Sequence, residues 1–482
     1  MKKRLCIILS LLALIVLIPI LLRKESATAS PDSAQDRLVI LTPHNESIRR
    51  EFGEAFASFW KRKTGRSLYV DWRTPGGTSE ISMVIDAGFQ AAEETGNPGI
   101  GVDLFFGGGE PDFEGQARKG RFLPLEIFRQ HPELFGDQAV IPETFTGERY
   151  FAKNHTWVAT CMSQFGICYN PDVLARLKLP PPKQWRDLAD PRYAGQLSLA
   201  DPTKSGSVAR TFELILQSEM QREISARGDT PEARAAGWAA GFQLIQSLAA
   251  NARYFTDSAS KIPHDVSMGD AAAGMCIDFY GRSYSDLTAR DGSPRLIWTA
   301  PLGGTTLSGD PIAVLKGARH PEIAQAFVSF TLSPEGQALW FRKTGKSGKD
   351  SLHRLPIRRD LYTPEFLENS SMPTVNPYAD AGNFTYRKDL TGGAFNTIRQ
   401  LIKIACIDSH EEMKTSWAAL KDAGMPPAAV AEFLDSEEIP YSGFGGGHPI
   451  LDGRDSLKAA EYATALGGQF RAHYREARML AK

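Results

Sequence analysis

Cysteine is scarce: the chain has five in 482 residues, and one of them, Cys6, precedes an apolar N-terminal run. The other four, Cys161, Cys168, Cys276 and Cys406, form no CxxC and stand at no Cys/His ligand spacing, which argues against a zinc site. Three states stay open for them: a Cys161–Cys168 bridge, a Cys276–Cys406 bridge, and buried free thiols. A charge excess is also lacking. The net charge of −1 supplies no basic surface for phosphate backbones, so nucleic acid is excluded as a partner. The one Gly-Lys-Ser, at Gly345 to Ser347 in WFRKTGKS, has Trp340 where a phosphate loop needs its first glycine, and it follows a helical pattern instead of a strand. No GxGxxG follows a strand, and neither GxSxG nor HExxH occurs. The nine histidines are scattered without a paired acid, base or nucleophile, so a non-enzymatic role is expected. No 20–50-residue period repeats, which excludes a solenoid.

What is present begins with a leader. Met1 to Arg4 is basic, Leu5 to Leu22 is an apolar run broken only by Ser10 and Pro19, and Ala27-Thr28-Ala29 offers a signal-peptidase cut before Ser30. The run is 18 residues long and is followed by Arg23 and Lys24, which suits an uncleaved anchor as well, since a bilayer core is ~30 Å thick. Residues 1–29 are therefore a signal peptide or a membrane anchor, and the rest is expected in the periplasm, free or tethered. A lipidated cysteine would follow the run, and Cys6 comes before it. With 42% hydrophobic and 23% charged residues, the exported part reads as soluble globular protein, long enough for more than one unit.

Beyond the leader, strand and helix patterns alternate. Arg37 to Leu41 and Ser67 to Trp72 read as buried strands, as does Val102 to Phe106. A helix with Ile48, Phe52, Phe56 and Phe59 on one face follows the first, and one with Ile81, Val84 and Ile85 follows the second. Thr156 to Tyr169 reads as an extended crossing segment, after which the pattern resumes with a strand and helix over Leu197 to Leu216. Gly274 to Tyr280 reads as another strand, Leu296 to Trp298 leads back towards Pro311 to Leu315, and helices follow from His320. Strands alternating with helices predict an α/β fold with open, mostly parallel sheets.

The turns after the strands carry the chemistry. Thr78-Ser79, Gly107 to Gly109 and Ser205-Gly206-Ser207 each follow a strand and open a helix, where unsatisfied N–H groups favour an anion. Any one of them alone reads as a helix cap. Together, at the carboxyl ends of strands, they mark a ligand site. His44 and Asn45 end the first strand, while Asp278 and Tyr280 stand in a polar cluster with Arg282. The candidate ligand-binding set is His44, Asn45, Thr78, Ser79, Gly108, Ser205, Gly206, Ser207, Asp278 and Tyr280.

Several segments in order carry a family likeness: LVILTPHNESIRREFGEAF, VDLFFGGGEPDFEGQARKGRFLPL, PKQWRDLADPRYAGQLSLADPTKSGS, GDAAAGMCIDFY and AQAFVSFTLSPEGQALW. Over about Leu38 to Arg358 the chain resembles the exported solute-binding proteins of bacterial ATP-driven importers, in the two-lobed type II class that includes the ferric-ion-binding proteins. The resemblance implies a small-molecule or ion solute held in a cleft between two α/β lobes, delivery to permease subunits in the inner membrane, and a monomer. It implies a first lobe over 37–158 and 305–357, a second over 159–304, and a mostly helical region 358–482 packing on the first. No cofactor is expected, although ferric ion is a conceivable cargo. In the ferric branch two adjacent tyrosines, a histidine and a carboxylate hold the metal with an anion. Here Phe279-Tyr280 replaces the tyrosine pair and His44 lies near the histidine's place, which points instead to an anionic or phosphorylated solute held at Ser205 to Ser207.

Overall fold

The computed structural model describes residues 30–343, 350–380, 382, 384–453 and 455–482. The leader, with its choice between cleavage and anchoring, and the Gly345-Lys346-Ser347 stretch lie outside the described residues. Among the described residues no helix is long and apolar enough to cross a membrane.

The first lobe starts with strand β1 (Asp36–Leu41), helix α1 (Glu46–Thr64), strand β2 (Leu68–Arg73), helix α2 (Thr78–Thr95), strand β3 (Leu104–Phe106) and helix α3 (Glu110–Arg118). Leu38 to Leu41 are buried on both faces, as a central parallel strand requires. Helix α1 begins where the Asn45 side chain accepts from the Ile48 amide, and it stops at Gly65 in the left-handed conformation. Its buried stripe runs Ile48, Phe52, Phe56 and Trp60, so the last place belongs to Trp60 and Phe59 is only half-buried.

Strand β4 (Val158–Tyr169) then crosses to the second lobe, which holds β5 (Leu197–Ala200), α4 (Gly206–Arg227), α5 (Pro231–Asn251), β6 (Ala252–Thr256), α6 (Lys261–Met268), β7 (Ala273–Ile277), α7 (Asp278–Thr288) and β8 (Ile297–Thr299). Strand β9 (Leu307–Val314) returns, followed by α8 (Pro321–Leu332) and α9 (Pro334–Phe341). The strand order is β2-β1-β3-β9-β4-β7-β5-β6. Pairing is parallel within each lobe and antiparallel where the two crossing strands β4 and β9 join. The fold is thus α/β and two-lobed, with a mixed sheet. The first half of β4 packs in one core beside Leu38, Phe106 and Trp340, and its second half packs in another beside Leu197, Phe212 and Trp238.

Three points raised by the sequence are decided here. The run expected as a strand through Tyr280 ends at Ile277, and Asp278 opens α7, where its carboxylate suits the positive end of the helix. Cys161, Cys168, Cys276 and Cys406 are all free and buried. Cys161 and Cys168 lie seven residues apart on one extended strand, about 23 Å at the usual rise, far beyond disulfide reach.

The third concerns the C-terminal region. Tyr362 to Tyr378 pack against the first core, but Leu390 to Ala477 join the second, contrary to the expectation of packing on the first lobe. Helix α10 (Phe395–Ile402) packs on α4, α11 (His410–Asp422) packs on α5, and α12 (Ser456–Leu480) packs on α11. Hydrogen bonds fix this packing: Trp238 Nε1 donates to the Ile439 carbonyl and Trp417 Nε1 to Asn251 Oδ1, both at 2.8 Å.

Candidate functional site

A cleft of about 640 Å³ lies where the lobes meet. Its walls are the loops that leave β1, β2 and β3 on one side, and the start of α4, residues 257–260 and the start of α7 on the other. Strand β9 crosses its floor, where its register against β4 shifts between Asp310 and Pro311. Such a bulge turns a side chain out of the ladder.

Asp310 is the centre of a buried polar cluster. Its carboxylate accepts from His44 Nε2 at 3.1 Å, from the Gly108 amide at 2.7 Å and from the Arg354 guanidinium. Arg354 also donates to Ser163 Oγ at 3.3 Å and lies 4.0 Å from the Phe279 ring centroid. Burial alone would raise the Asp310 carboxyl, but the Arg354 charge and His44 hold it well below the usual carboxylate range. Burial pushes the His44 imidazole below its ordinary value, against the pull of Asp310. Gly107, at φ +95°, lets the chain pass the imidazole: a β-carbon there would collide with the His44 ring.

A second buried cluster surrounds Arg210 on α4. Its guanidinium donates to Glu148 and Glu213 and stacks 3.7 Å from the Tyr386 ring centroid. Thr306 Oγ1 donates to Glu148 at 2.6 Å, and Tyr386 Oη to Glu213 at 2.9 Å. Lys204, at the cleft rim, pairs with Asp257 at 2.7 Å. Each of these three cations on the cleft wall is therefore already matched by a carboxylate of the chain.

The N-termini of α2, α3 and α4 all open on this space. Gly77 and Gly109, which precede α2 and α3, contribute no side-chain cap. Ser205 caps α4, accepting from the Val208 amide at 3.4 Å, and its hydroxyl lies 3.1 Å from that of Ser207. Glu80 stands in the first turn of α2 and both Glu110 and Asp112 in that of α3, whereas the first turn of α4 holds no acid. Burial pushes the Asp112 carboxyl up, opposed by the Arg399 charge. The lobes touch across the mouth. A β-carbon on Gly206 would collide with the Thr78 hydroxyl, and the Lys204 carbonyl would lie 3.1 Å from one on Gly77.

Of the residues expected from sequence, His44, Asn45, Thr78, Gly108, Ser205, Gly206, Ser207 and Tyr280 come together on the cleft wall. Ser79 and Asp278 do not line it. The Ser79 hydroxyl accepts from Arg399, while Asp278 is fully buried, accepts from the Phe279 amide and lies 3.8 Å from Arg282. The sequence reading missed Asp310, Arg354, Arg210, Glu148 and Asp112. One signal was available for Asp310: an Asp-Pro pair inside the apolar run of β9 marks a bulge.

The pattern of the family described as bacterial extracellular solute-binding protein matches residues 111–353, half of the chain. The chain belongs to that family. This solute-binding protein is 30% identical over 184 residues to the phosphoglycerate transport regulatory protein PgtC of Salmonella typhimurium, a match covering 38% of this chain and 40% of PgtC. The chain thus spans about two fifths of the length of that curated relative. Its fold is that of the substrate binding protein of an ABC transporter from Agrobacterium tumefaciens, with a TM-score of 0.53 at 17% identity over 74% of this chain and 88% of that one. It is likewise similar to the periplasmic binding protein P5PA, with a TM-score of 0.50 at 19% identity over 76% of this chain and 95% of that one. The family description and both solved structures name binding proteins.

Proposed function

We propose that this solute-binding protein acts as a periplasmic monomer, captures a small phosphorylated, hydroxyl-bearing anion between its lobes and delivers it to ABC permease subunits in the inner membrane. The convergence of three helix N-termini from both lobes on one cleft carries this reading. The start of α4 is the seat for the phosphate, because it alone of the three has no acid in its first turn. Glu80 and Asp112 then face the hydroxyl end, where a carboxyl group accepts or shares a proton. The relative PgtC, by its name a phosphoglycerate transport regulatory protein, supports the same solute class. Ferric ion is a poorer cargo. Phe279 packs under Arg354, so the residue adjacent to Tyr280 in the chain carries no phenol, and His44 Nε2 is engaged by Asp310.

A thermal-shift comparison tests this on the purified protein, using phosphate esters, organic acids without phosphate, and ferric citrate. A ligand at 100 times its Kd stabilises by about 2.7 kcal/mol. Phosphate esters should raise the melting temperature, and Ser205→Ala with Ser207→Ala should abolish the rise. A shift with ferric citrate alone sinks the proposal. The word "regulatory" in the name of PgtC favours a second reading, in which the same cleft reports to a sensor. Loss of induction without loss of uptake in a deletion strain would select it.

A further inference from the structure

The C-terminal region reaches back to the cleft. Helix α10 is rooted in the second core through Ile398, Leu401 and Ile402, yet Arg399 on the same helix points across the mouth. Its Nε donates to the Pro202 carbonyl at 2.8 Å, and its Nη2 donates both to the Thr203 carbonyl at 2.8 Å and to Ser79 Oγ at 2.6 Å. Pro202 and Thr203 belong to the turn before α4 in the second lobe, and Ser79 belongs to the first turn of α2 in the first lobe. One guanidinium therefore joins the two walls that must separate for the cleft to open. The planar fork of arginine suits this, because its donors are held in fixed directions. The charges of Asp112 and Glu80 of the first lobe and of Asp201 of the second favour this cation, against the cost of its burial. A second link runs beside it: Lys388 Nζ, also from the C-terminal region, lies 3.3 Å from Glu110 Oε1 on α3.

We infer that Arg399 is a positioning residue that clasps the two lobes in the closed arrangement and so sets how tightly the cleft holds its solute, without touching the solute itself. The inference rests on the solute-binding reading of the cleft. Opening separates Arg399 from Ser79 and from the two first-lobe acids, while its bonds to Pro202 and Thr203, on its own lobe, persist. The clasp therefore exists only in the closed state and raises that state's population before any solute arrives. Apparent affinity is the intrinsic affinity scaled by the closed fraction, so weakening the clasp weakens binding through the free protein.

The test uses the full chain, measured by small-angle X-ray scattering without solute and by titration calorimetry with 3-phosphoglycerate as the probe. Arg399→Gln should enlarge the radius of gyration of the solute-free protein and weaken the probe about tenfold. Saturating probe should restore the wild-type radius. Arg399→Lys should recover part of the affinity, and Ser79→Ala, which removes one acceptor at little risk to folding, should fall between Arg399→Gln and wild type. An unchanged radius in an Arg399→Gln protein that melts like wild type overturns the clasp. If Arg399→Gln does not fold, an unchanged radius in Ser79→Ala overturns it instead. Failure of 3-phosphoglycerate to bind the wild type would count against the proposed solute, while the scattering comparison still decides the clasp.

Discussion

Asp310 and Arg354 form a buried ion pair at the floor of the cleft, each only about 5% exposed or less. Taking two charges out of water is costly, and the cost is offset by His44, the Gly108 amide and the guanidinium on the carboxylate and by two aromatic rings around the cation. Removing one partner strands the other. Arg354→Met is expected to destabilise the protein by about 3–5 kcal/mol, measured by urea unfolding, and adding Asp310→Asn should restore much of the loss. At this scale the sequence was legible where a residue's role is local. Ser205 caps its helix and Asn45 caps α1, both short-range consequences of residue type. It was not legible for Asp310 and Arg354, 44 positions apart, or for His44 and Asp310, 266 apart, because nothing local encodes such pairings.

Helix α4 shows what an element contributes beyond its residues. The strand-turn-helix succession at Leu197 to Leu216 was readable from composition and periodicity, and the structure keeps it. Its position against α2 makes Gly206 a contact point between lobes, since a β-carbon there would strike the Thr78 hydroxyl. Alanine suits a first helical position better than glycine does. Gly206→Ala should therefore leave the melting temperature unchanged or slightly raised, while solute affinity by calorimetry falls about tenfold, or ~1.4 kcal/mol. A variant that binds like wild type would show that the lobes need not approach so closely. The start of α7 was misread at the same scale. An apolar run through Phe279 fits a strand or a buried helix equally, and its packing on β8, where a β-carbon on Gly281 would meet Trp298, decides for helix.

The whole molecule depends on the C-terminal region for more than the contacts of Arg399. Phe470 and Tyr474 of α12 are buried with Phe433 and Trp417 in the same core as β5 and α5. Phe470→Ala is expected to cost about 3–5 kcal/mol, seen as a loss of melting temperature, because a large ring leaves a cavity that the packed helices cannot fill. If that variant keeps wild-type stability, the helical region is an appendage and not part of the second lobe.

The sequence by itself determined the alternation of strands and helices, the resemblance to exported solute-binding proteins and most of the turns that line the cleft. These rest on local periodicity, capping chemistry and chain order, all present in short windows. Only the tertiary structure decided that the crossing strands merge both lobes into one mixed sheet, that the C-terminal helices cover the second lobe, and that Arg399 meets Ser79. The physical reason is common to all three. A buried charge or apolar face requires a partner, but its own segment does not say which distant segment supplies it.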